Sequence, residues 1–331
     1  MVYEIMHREN CVAQISTVGE CKIYLEDFMP YDLMLEESND FDKRIKNAMS
    51  FYSWCASRMI PPDRTYAKEI LNSIGASQSV TDRERAQIAL SYHCLSLLDV
   101  FWVKEENEKI RFEDINLFAH SLSNALVDIA LRGHQMTVTN AHLLANDLST
   151  GGLYPKAWVR KEDGFYLYKD GGRDAVEREV LASKICRCFD CHQVLYEQGM
   201  FENEPVSISK IMTSQRYSLV TYAAYDVYCT NHDWNTLDKI LELDAPSYYM
   251  MNILDYLVGN TDRHWENWGL LVDNETNQPI RLHDLMDFNR AFQQYDTPEG
   301  ANCLTVGKRH LSQKDAAVEA VRNIGLNQVR Q

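Results

Sequence analysis

Two polar side chains in the second half of the chain, Asp262 and Asn267, lie five residues apart in a loop between an apolar helical pattern and a strand pattern. A carboxylate in such a loop can orient an attacking hydroxyl or accept its proton, and an amide oxygen can hold a magnesium ion against phosphate groups. A second carboxylate should follow the next strand, and Asp287 does so, with Asp284 three residues earlier as the alternative. This spacing predicts phosphoryl transfer that depends on a divalent metal.

A lysine at the end of an alternating strand pattern, Lys169, is a further candidate group. The pattern over residues 165–169 puts its ammonium group in a half-buried position, which is unfavourable unless an anion meets it there. A nucleotide phosphate is such an anion, and a glutamate on the following helix would hold the lysine in place. We expect Glu179 to be this partner because apolar residues surround it in the helical pattern, and Glu177 is the alternative.

A loop rich in serine and glycine precedes the first strand pattern of this region. Such a loop can direct backbone amides at nucleotide phosphates, although a plain turn has a similar composition. The candidate phosphate-binding residues are Ser149, Thr150, Gly151, Gly152 and Lys156.

A strand-like run over residues 217–228 lies between the two halves of the region that carries these groups. Backbone groups in such a connection could form hydrogen bonds with the adenine ring of a nucleotide. We therefore expect the base to bind at four consecutive residues, Tyr222, Ala223, Ala224 and Tyr225.

The elements that must position these side chains follow a definite order after residue 140. A hairpin pattern over residues 158–169 is followed by a helical pattern over 174–189, two strand-like runs, a helix over 247–258, the polar loop and two more strands. A two-lobed nucleotide-binding unit is built in this order. We predict an N-lobe over residues 136–228 and a helical C-lobe over residues 229–331.

The preceding part of the chain, residues 1–135, is predicted to be mainly helical. Apolar residues recur with a helical period over residues 45–59, and Thr81 and Glu84 have the spacing of a capping box. Further helices are predicted over residues 63–74 and 113–132, whereas the first 40 residues have no clear pattern. We expect this region to be a packed helical domain or a surface for partner or substrate recognition.

The seven residues Thr-Asp-Arg-His-Trp-Glu-Asn at positions 261–267 resemble the catalytic loop of HipA-like serine/threonine kinases and of phosphoinositide kinases. In both families the aspartate precedes the histidine. The segment Ser149-Thr-Gly-Gly-Leu-Tyr-Pro-Lys156 also resembles the HipA-type phosphate loop, and the resemblance extends over about residues 146–292.

This resemblance implies an α+β chain with a two-lobed, protein-kinase-like fold of the HipA type. It implies ATP and Mg²⁺ as cofactors, Asp262 as the catalytic aspartate, Asn267 as a metal ligand and Asp287 as the counterpart of the aspartate in Asp-Phe-Gly. Asn289 stands where ordinary kinases have glycine. Arg263 and His264 are expected to brace the loop.

The function implied is that of a serine/threonine protein kinase, which could also phosphorylate its own Ser149 or Thr150. A catalytically silent pseudokinase that binds a nucleotide or a partner is one alternative, and a small-molecule or lipid kinase is another. HipA-like proteins are often toxins paired with a DNA-binding antitoxin, so the region over residues 1–135 is a candidate surface for a protein partner or an antitoxin.

Composition limits these readings. The chain has 33 Lys and Arg against 48 Asp and Glu, a net charge of −15, which disfavours direct binding to nucleic acid or anionic membranes. The nine cysteines lack the spacing of a disulfide framework, so we expect reduced thiols and a cytoplasmic protein. The sequence shows neither a signal-peptide pattern nor an apolar run of about 18 residues, so neither secretion nor a membrane-spanning helix is expected. The group Cys186, Cys188, Cys191 and His192 is expected to be thiols on a helix rather than a zinc site.

Overall fold

The structure is a computed structural model that describes residues 1–59, 81–120, 156–201, 203–292, 295 and 297–325. The chain forms two compact units. The first comprises Met1–Trp158, Thr213–Arg216 and Asn274–Asn277, and the second comprises Val159–Met212, Tyr217–Asp273 and Gln278–Gln331. Asp262, Asn267, Lys169 and Asp287 all belong to the second unit.

The first unit contains an antiparallel sheet with strand order β3-β2-β1-β4. Its strands are β1 (Val2–His7), β2 (Asn10–Ser16), β3 (Cys21–Ile23) and β4 (Phe101–Glu105). Its described helices are α1 (Phe41–Ser57), α2 (Asp82–Ser91) and α3 (Phe112–Ile115). The expectation of a mainly helical region was therefore wrong for the described part, which is mixed. Side chains such as Ile5, Val12 and Ile15 are fully buried in this sheet. Its strands were not predicted because they are too short to show a clear period in the sequence.

The local signals for helix ends agree with the structure where it is described. Asp40 caps α1 by accepting a hydrogen bond from the amide of Lys43 at 3.0 Å. The predicted capping box is confirmed, because the Thr81 hydroxyl accepts from the Glu84 amide while the Glu84 carboxylate accepts from the Thr81 amide. The helix predicted over residues 63–74 lies outside the described residues. So does the larger part of the helix predicted over residues 113–132, of which the structure describes only α3 and the loop up to residue 120.

The second unit starts within β5, at Val159, and its first part is a four-stranded sheet of order β5-β6-β8-β7 with a helix packed on β7 and β8. The strands are β5 (Lys156–Lys161), β6 (Gly164–Lys169), β7 (Tyr196–Phe201) and β8 (Glu204–Lys210), and the helix is α4 (Arg173–Cys186). The predicted hairpin corresponds to β5 and β6. Lys169 ends β6 and pairs in register with Ser207 on β8.

The rest of the unit is a three-stranded antiparallel sheet of order β11-β10-β9 with three helices. The elements are β9 (Tyr217–Thr221), α5 (Tyr222–Asn231), α6 (Thr236–Val258), β10 (Gly269–Asp273), β11 (Gln278–Leu282) and α7 (Gln313–Ile324). Helix α6 packs against α7. It has a kink at Asp244, two residues before Pro246, because proline cannot continue the helical hydrogen-bond ladder.

The loop that carries Asp262 starts at a defined helix end. Gly259 follows α6 in the left-handed conformation, with φ 62°, and its amide donates back to the last turn. Only glycine adopts this conformation without steric cost, so the residue ends the helix and turns the chain into the loop. The loop ends where β10 begins at Gly269.

The strand predicted over residues 217–228 is shorter than expected. It stops at Thr221, whose side-chain oxygen accepts from the Ala224 amide at 3.2 Å and thereby caps α5. The apolar and aromatic composition of this run suits either element, and the threonine cap decides for a helix.

Among the described residues, none of the helices has the length and apolarity needed to cross a membrane.

Candidate active site

A buried ion pair links Lys169, predicted to hold phosphates, to Glu179, predicted to hold the lysine in place. The Lys169 Nζ atom donates to Glu179 Oε1 at 2.8 Å, and Lys169 and Glu179 are only 6% and 1% exposed. Glu179 is held in turn by the hydroxyl of Ser207, which donates to its Oε2 atom at 2.5 Å. Glu177, the alternative partner, is exposed on the same helix. The structure thus pairs Lys169 with Glu179.

The same ammonium group also reaches Asp287, 118 residues later in the chain. Lys169 Nζ lies 2.7 Å from Asp287 Oδ1. Burial alone would lower the pKa of Lys169, but the adjacent carboxylates of Asp287 and Glu179 outweigh it and raise the pKa above its ordinary value. The lysine therefore remains charged between two carboxylates.

The backbone of Asp287 has an unusual conformation. Its φ of 59° lies in the left-handed region, which aspartate visits more often than most residues but at some cost. The Asp287 amide donates to the hydroxyl of Tyr196 at 3.0 Å, and Tyr196 is buried on β7. Tyr196 thus holds the backbone of Asp287, and Lys169 holds its carboxylate.

Arg263 connects the polar loop to the segment before Asp287. Its guanidinium donates to both oxygens of Asp255 on α6, at 2.9 Å each, and to the backbone carbonyl of Asn267 at 2.8 Å. It also donates to the backbone carbonyl of Met286. Burial would lower the pKa of Arg263, but Asp255 outweighs it and keeps the pKa raised. This arginine braces the loop, the role predicted from the sequence for Arg263.

The amide of Asn267 is oriented by the loop itself. Its Nδ2 atom donates to the backbone carbonyl of Asp262 at 2.8 Å, so its Oδ1 atom points away from that carbonyl. Among the described residues no hydrogen-bond donor contacts Asn267 Oδ1. An oxygen presented in this way is a suitable ligand for Mg²⁺, which prefers carboxylate and amide oxygens. The donor set of Asn267 and Asp287 therefore fits such a metal.

Asp262 itself is the more accessible of these groups, with a side chain that is 33% exposed. Its backbone carbonyl accepts from Asn267 and from the His264 amide, at 2.8 Å each. His264 Nδ1 accepts from the Glu266 amide at 3.2 Å, which braces the loop rather than placing the imidazole for proton transfer. One oxygen of Asp262, Oδ2, lies 3.6 Å from Arg290 Nε.

The alternative metal ligand, Asp284, is placed differently from Asp287. Its side chain is 8% exposed, and Oδ1 lies 2.8 Å from Arg281 Nη2. The contacts described here join Asp287 to Lys169 and, through Met286 and Arg263, to the loop. Asp287 is thus the better candidate, although its role remains a prediction.

Two groups of predicted nucleotide ligands have different outcomes. The phosphate-loop residues Ser149, Thr150, Gly151 and Gly152 lie outside the described residues, and Lys156 is the half-buried first residue of β5. The predicted adenine contacts, residues 222–225, form the first turn of α5 rather than part of a strand, and their role stays a prediction. The amides of Tyr222 and Ala223 donate to the carbonyls of Trp268 and Trp265, and the Ala224 amide donates to the Thr221 cap. Tyr225 follows in the same first turn of α5, and the amides of Tyr222, Ala223 and Ala224 are already used within the fold.

The sequence analysis missed three residues that shape the site. Asp255 lies inside the predicted helix at residues 247–258, and the signal for it was a single carboxylate in an otherwise apolar helix face. Tyr196 and Arg290 carried no signal, because nothing in the spacing of the chain indicates that they approach Asp287 and Asp262.

The nine cysteines all lie in the described part and carry free thiols. The described residues include no cluster of His, Cys, Asp and Glu that could hold a metal by itself.

No protein-family model and no curated protein sequence matches the chain. Among solved structures, the chain resembles HipA from the toxin–antitoxin complex of HipA, HipB and operator DNA of Shewanella oneidensis MR-1. The TM-score is 0.55 at 11% identity, over 98% of this chain and 85% of that chain. The chain has a HipA-like, mixed α/β fold.

A second similarity, to the proinflammatory kinase CtkA of Helicobacter pylori, has a TM-score of only 0.34 at 18% identity. It covers 41% of this chain and 55% of CtkA, so the chain spans about half the length of that protein. A similarity of this size adds nothing to the assignment of the fold, which depends on the HipA comparison.

Proposed function

We propose that the chain is an ATP- and Mg²⁺-dependent phosphotransferase that acts on an alcohol group, and specifically a serine/threonine protein kinase. The observation that carries this proposal is the position of Lys169 Nζ, 2.8 Å from Glu179 and 2.7 Å from Asp287. Arg263 ties the segment before Asp287 to the loop of Asp262 and Asn267. The HipA-like fold supports the same reading.

Each side chain has a distinct part in this reaction. Asp262 accepts the proton of a serine or threonine hydroxyl while the oxygen of that hydroxyl forms a bond to the γ-phosphorus of ATP. The bond between that phosphorus and the bridging oxygen breaks, and the electron pair leaves with ADP. Lys169 holds the α- and β-phosphates, and Glu179 fixes the lysine. Asn267 and Asp287 would hold Mg²⁺, which neutralises charge on the phosphate oxygens.

The charge of the chain bears on the class of substrate. A net charge of −15 gives no general attraction for anionic lipid surfaces, so a protein hydroxyl is a better acceptor than a membrane lipid. The chain's own Ser149 and Thr150 are candidate acceptors. Mass spectrometry after incubation with ATP and Mg²⁺ should find phosphate on one of them, and its absence from both would remove the self-phosphorylation part of the proposal.

The direct test is transfer of radiolabel from [γ-³²P]ATP to the chain itself and to dephosphorylated casein. The wild type should transfer label, and Asp262→Asn should lose about 100-fold or more, the usual contribution of a group that accepts a proton. Glu179→Gln should be strongly impaired, whereas Glu177→Gln, an exposed position on the same helix, should retain activity. Equal label in wild type and Asp262→Asn would overturn the proposed function.

Binding can be measured separately from transfer. ATP with Mg²⁺ should raise the apparent melting temperature, because a ligand that binds only the folded state stabilises it. Asn267→Ala and Asp287→Asn should lose the part of the shift that depends on Mg²⁺. If Asp284→Asn lost it instead, the metal assignment would move from Asp287 to Asp284.

We further propose that residues 1–135 bind a protein partner of the antitoxin kind, as the HipA to which the chain is similar is in complex with HipB. Induced expression of the wild type should slow bacterial growth, and Asp262→Asn should not. Equal growth of the two strains would argue against a toxic kinase without bearing on the catalytic residues.

A further inference from the structure

One arginine near Asp262, Arg290, has no assigned part in the reaction above. Its Nε atom lies 3.6 Å from Asp262 Oδ2, and its side chain is 48% exposed. We propose that Arg290 is a catalytic residue that donates hydrogen bonds to the phosphoryl group while it is being transferred. This inference rests on the proposed function and adds to it a residue that binds the transition state.

The main chain of Arg290 is fixed relative to the loop of Asp262. Phe288, two residues before it, and Ala291, directly after it, are both fully buried, and the Ala291 amide donates to the Phe288 carbonyl at 2.9 Å. The next amide, that of Phe292, donates to the carbonyl of Val258 at 2.6 Å. Val258 is the last residue of α6, directly before the loop. The tight turn therefore places the arginine beside Asp262 whatever its side chain contacts.

The side chain, in contrast, is weakly held. An ion pair at 3.6 Å between two partly exposed groups contributes only about 0–1 kcal/mol, so it can be exchanged for a better anion. A guanidinium has five N–H donors in a planar fork, which matches the oxygens of a phosphoryl group. Arg290 can thus leave Asp262 when a phosphate arrives near it.

The other two cations near these residues are committed elsewhere. Lys169 is buried between Glu179 and Asp287, and Arg263 is buried against Asp255 and two backbone carbonyls. Lys169 can meet the α- and β-phosphates from its place between the two carboxylates, but neither cation can move to the transferred γ-phosphoryl group without leaving a buried carboxylate unpaired, which is costly. Of these three cations, Arg290 is the one able to move.

The chemistry of the transfer places negative charge where this group can reach it. In the transition state the hydroxyl oxygen that gives its proton to Asp262 is forming its bond to the γ-phosphorus. The phosphoryl oxygens are therefore close to Asp262, and Arg290, 3.6 Å from Asp262, can reach them. Charge spreads over the three equatorial oxygens at that point, and a guanidinium supplied by the same chain stabilises it. No additional bond forms or breaks beyond the proton transfer and phosphoryl transfer already described.

The test compares Arg290→Gln and Arg290→Lys with Arg322→Gln, an exposed arginine in the last turn of α7. Arg290→Gln should lower kcat for casein phosphorylation by about 100-fold or more, because one donor to a transition state is usually worth that much. KM for ATP, KM for casein and the melting-temperature shift with Mg²⁺ and ATP should change by less than about two-fold, since a group that acts only in the transition state leaves ground-state binding intact. Arg290→Lys should recover part of kcat, and Arg322→Gln should match the wild type.

Three outcomes separate this inference from the proposed function. An inactive wild type would overturn both. An active wild type with an equally active Arg290→Gln would overturn the role of Arg290 alone. A raised KM for casein with unchanged kcat would show that Arg290 binds the substrate in its ground state, which also overturns the inference. The melting temperature of each variant without nucleotide should equal that of the wild type, so that loss of kcat does not report loss of folding.

Discussion

Both carboxylate oxygens of Asp255 accept hydrogen bonds from the guanidinium of Arg263 at 2.9 Å, and Asp255 and Arg263 are only 4% and 2% exposed. The pair joins the last turns of α6 to the loop that carries Asp262. Asn260 adds a further contact, because its Nδ2 atom donates to Asp255 Oδ1 at 2.9 Å. A buried ion pair therefore holds the candidate catalytic loop against α6.

Removing the charge of Asp255 should destabilise the fold strongly. Asp255→Asn leaves the buried guanidinium of Arg263 without its counter-ion, and breaking a buried pair costs about 3–5 kcal/mol. We expect this loss in the free energy of unfolding measured with urea. Glu242→Gln is the control, since it breaks an exposed pair with Lys239 on the same helix and should cost less than about 1 kcal/mol. Similar effects for the two variants would contradict a structural role for Asp255.

Loss of the Tyr196 hydroxyl should impair both the fold and the site. Tyr196→Phe removes the acceptor of the Asp287 amide, which costs about 1–3 kcal/mol for a buried group left unpaired. Because Asp287 then loses a contact that holds its left-handed backbone, we expect kcat to fall by about ten-fold, equivalent to about 1.4 kcal/mol in the barrier. Tyr166→Phe removes an exposed hydroxyl contact to Asp163 and serves as the control. Unchanged kcat in Tyr196→Phe would show that Asp287 is held without it.

The first residue of α7 should also affect the loop. Gln313 is 6% exposed, and its Nε2 atom donates to the carbonyl of Asn260 at 2.6 Å while its Oε1 atom accepts from the Tyr295 hydroxyl at 2.9 Å. Gln313→Met keeps the side-chain length but leaves both partners unpaired, at about 1–3 kcal/mol each. We expect a lower kcat with little change in KM for ATP.

The matched control for Gln313 lies on the same helix. Asn323→Ala removes an exposed side-chain hydrogen bond to the Glu319 carbonyl and should leave kcat unchanged. Equal kcat for Gln313→Met and the wild type would show that the loop does not need this contact.

The first unit should lose stability in acid because of His7. The ring of this histidine lies between Phe28 and Phe101. Its burial there is the main cause that lowers its pKa from 6.5 to about 4. The unfolded chain therefore binds a proton below pH 6.5 that the folded chain does not bind until about pH 4. Stability falls as the pH is lowered across this window, by about 3 kcal/mol for a difference of this size.

The measurement is the free energy of unfolding between pH 7 and pH 4 for the wild type and His7→Leu. The variant should lose less stability across this range, because the group responsible is gone. His310→Leu replaces an exposed histidine and should follow the wild type. A parallel decline in His7→Leu and the wild type would show that other groups cause the acid sensitivity.

Part of the fold could be predicted from local sequence signals. The capping box at Thr81 and Glu84, the end of α6 at Val258 and the hairpin before Lys169 each involve residues close together in the chain. The sheet of the first unit and helix α5 were not predicted. Short strands carry weak periodicity, and the run that includes α5 suits a strand as well as a helix until a cap is formed.

The candidate site divides in the same way. The sequence by itself determined the spacing of Asp262 and Asn267, because both belong to one loop whose length sets their separation. It favoured Glu179 over Glu177 but left Asp287 and Asp284 open as the metal ligand, and it gave no indication of Tyr196 or Arg290. Lys169 meets Asp287 across 118 residues and Tyr196 meets it across 91. Such pairings arise only when sheet and helices pack, because burial makes an unpaired charge costly and so selects which partners come together.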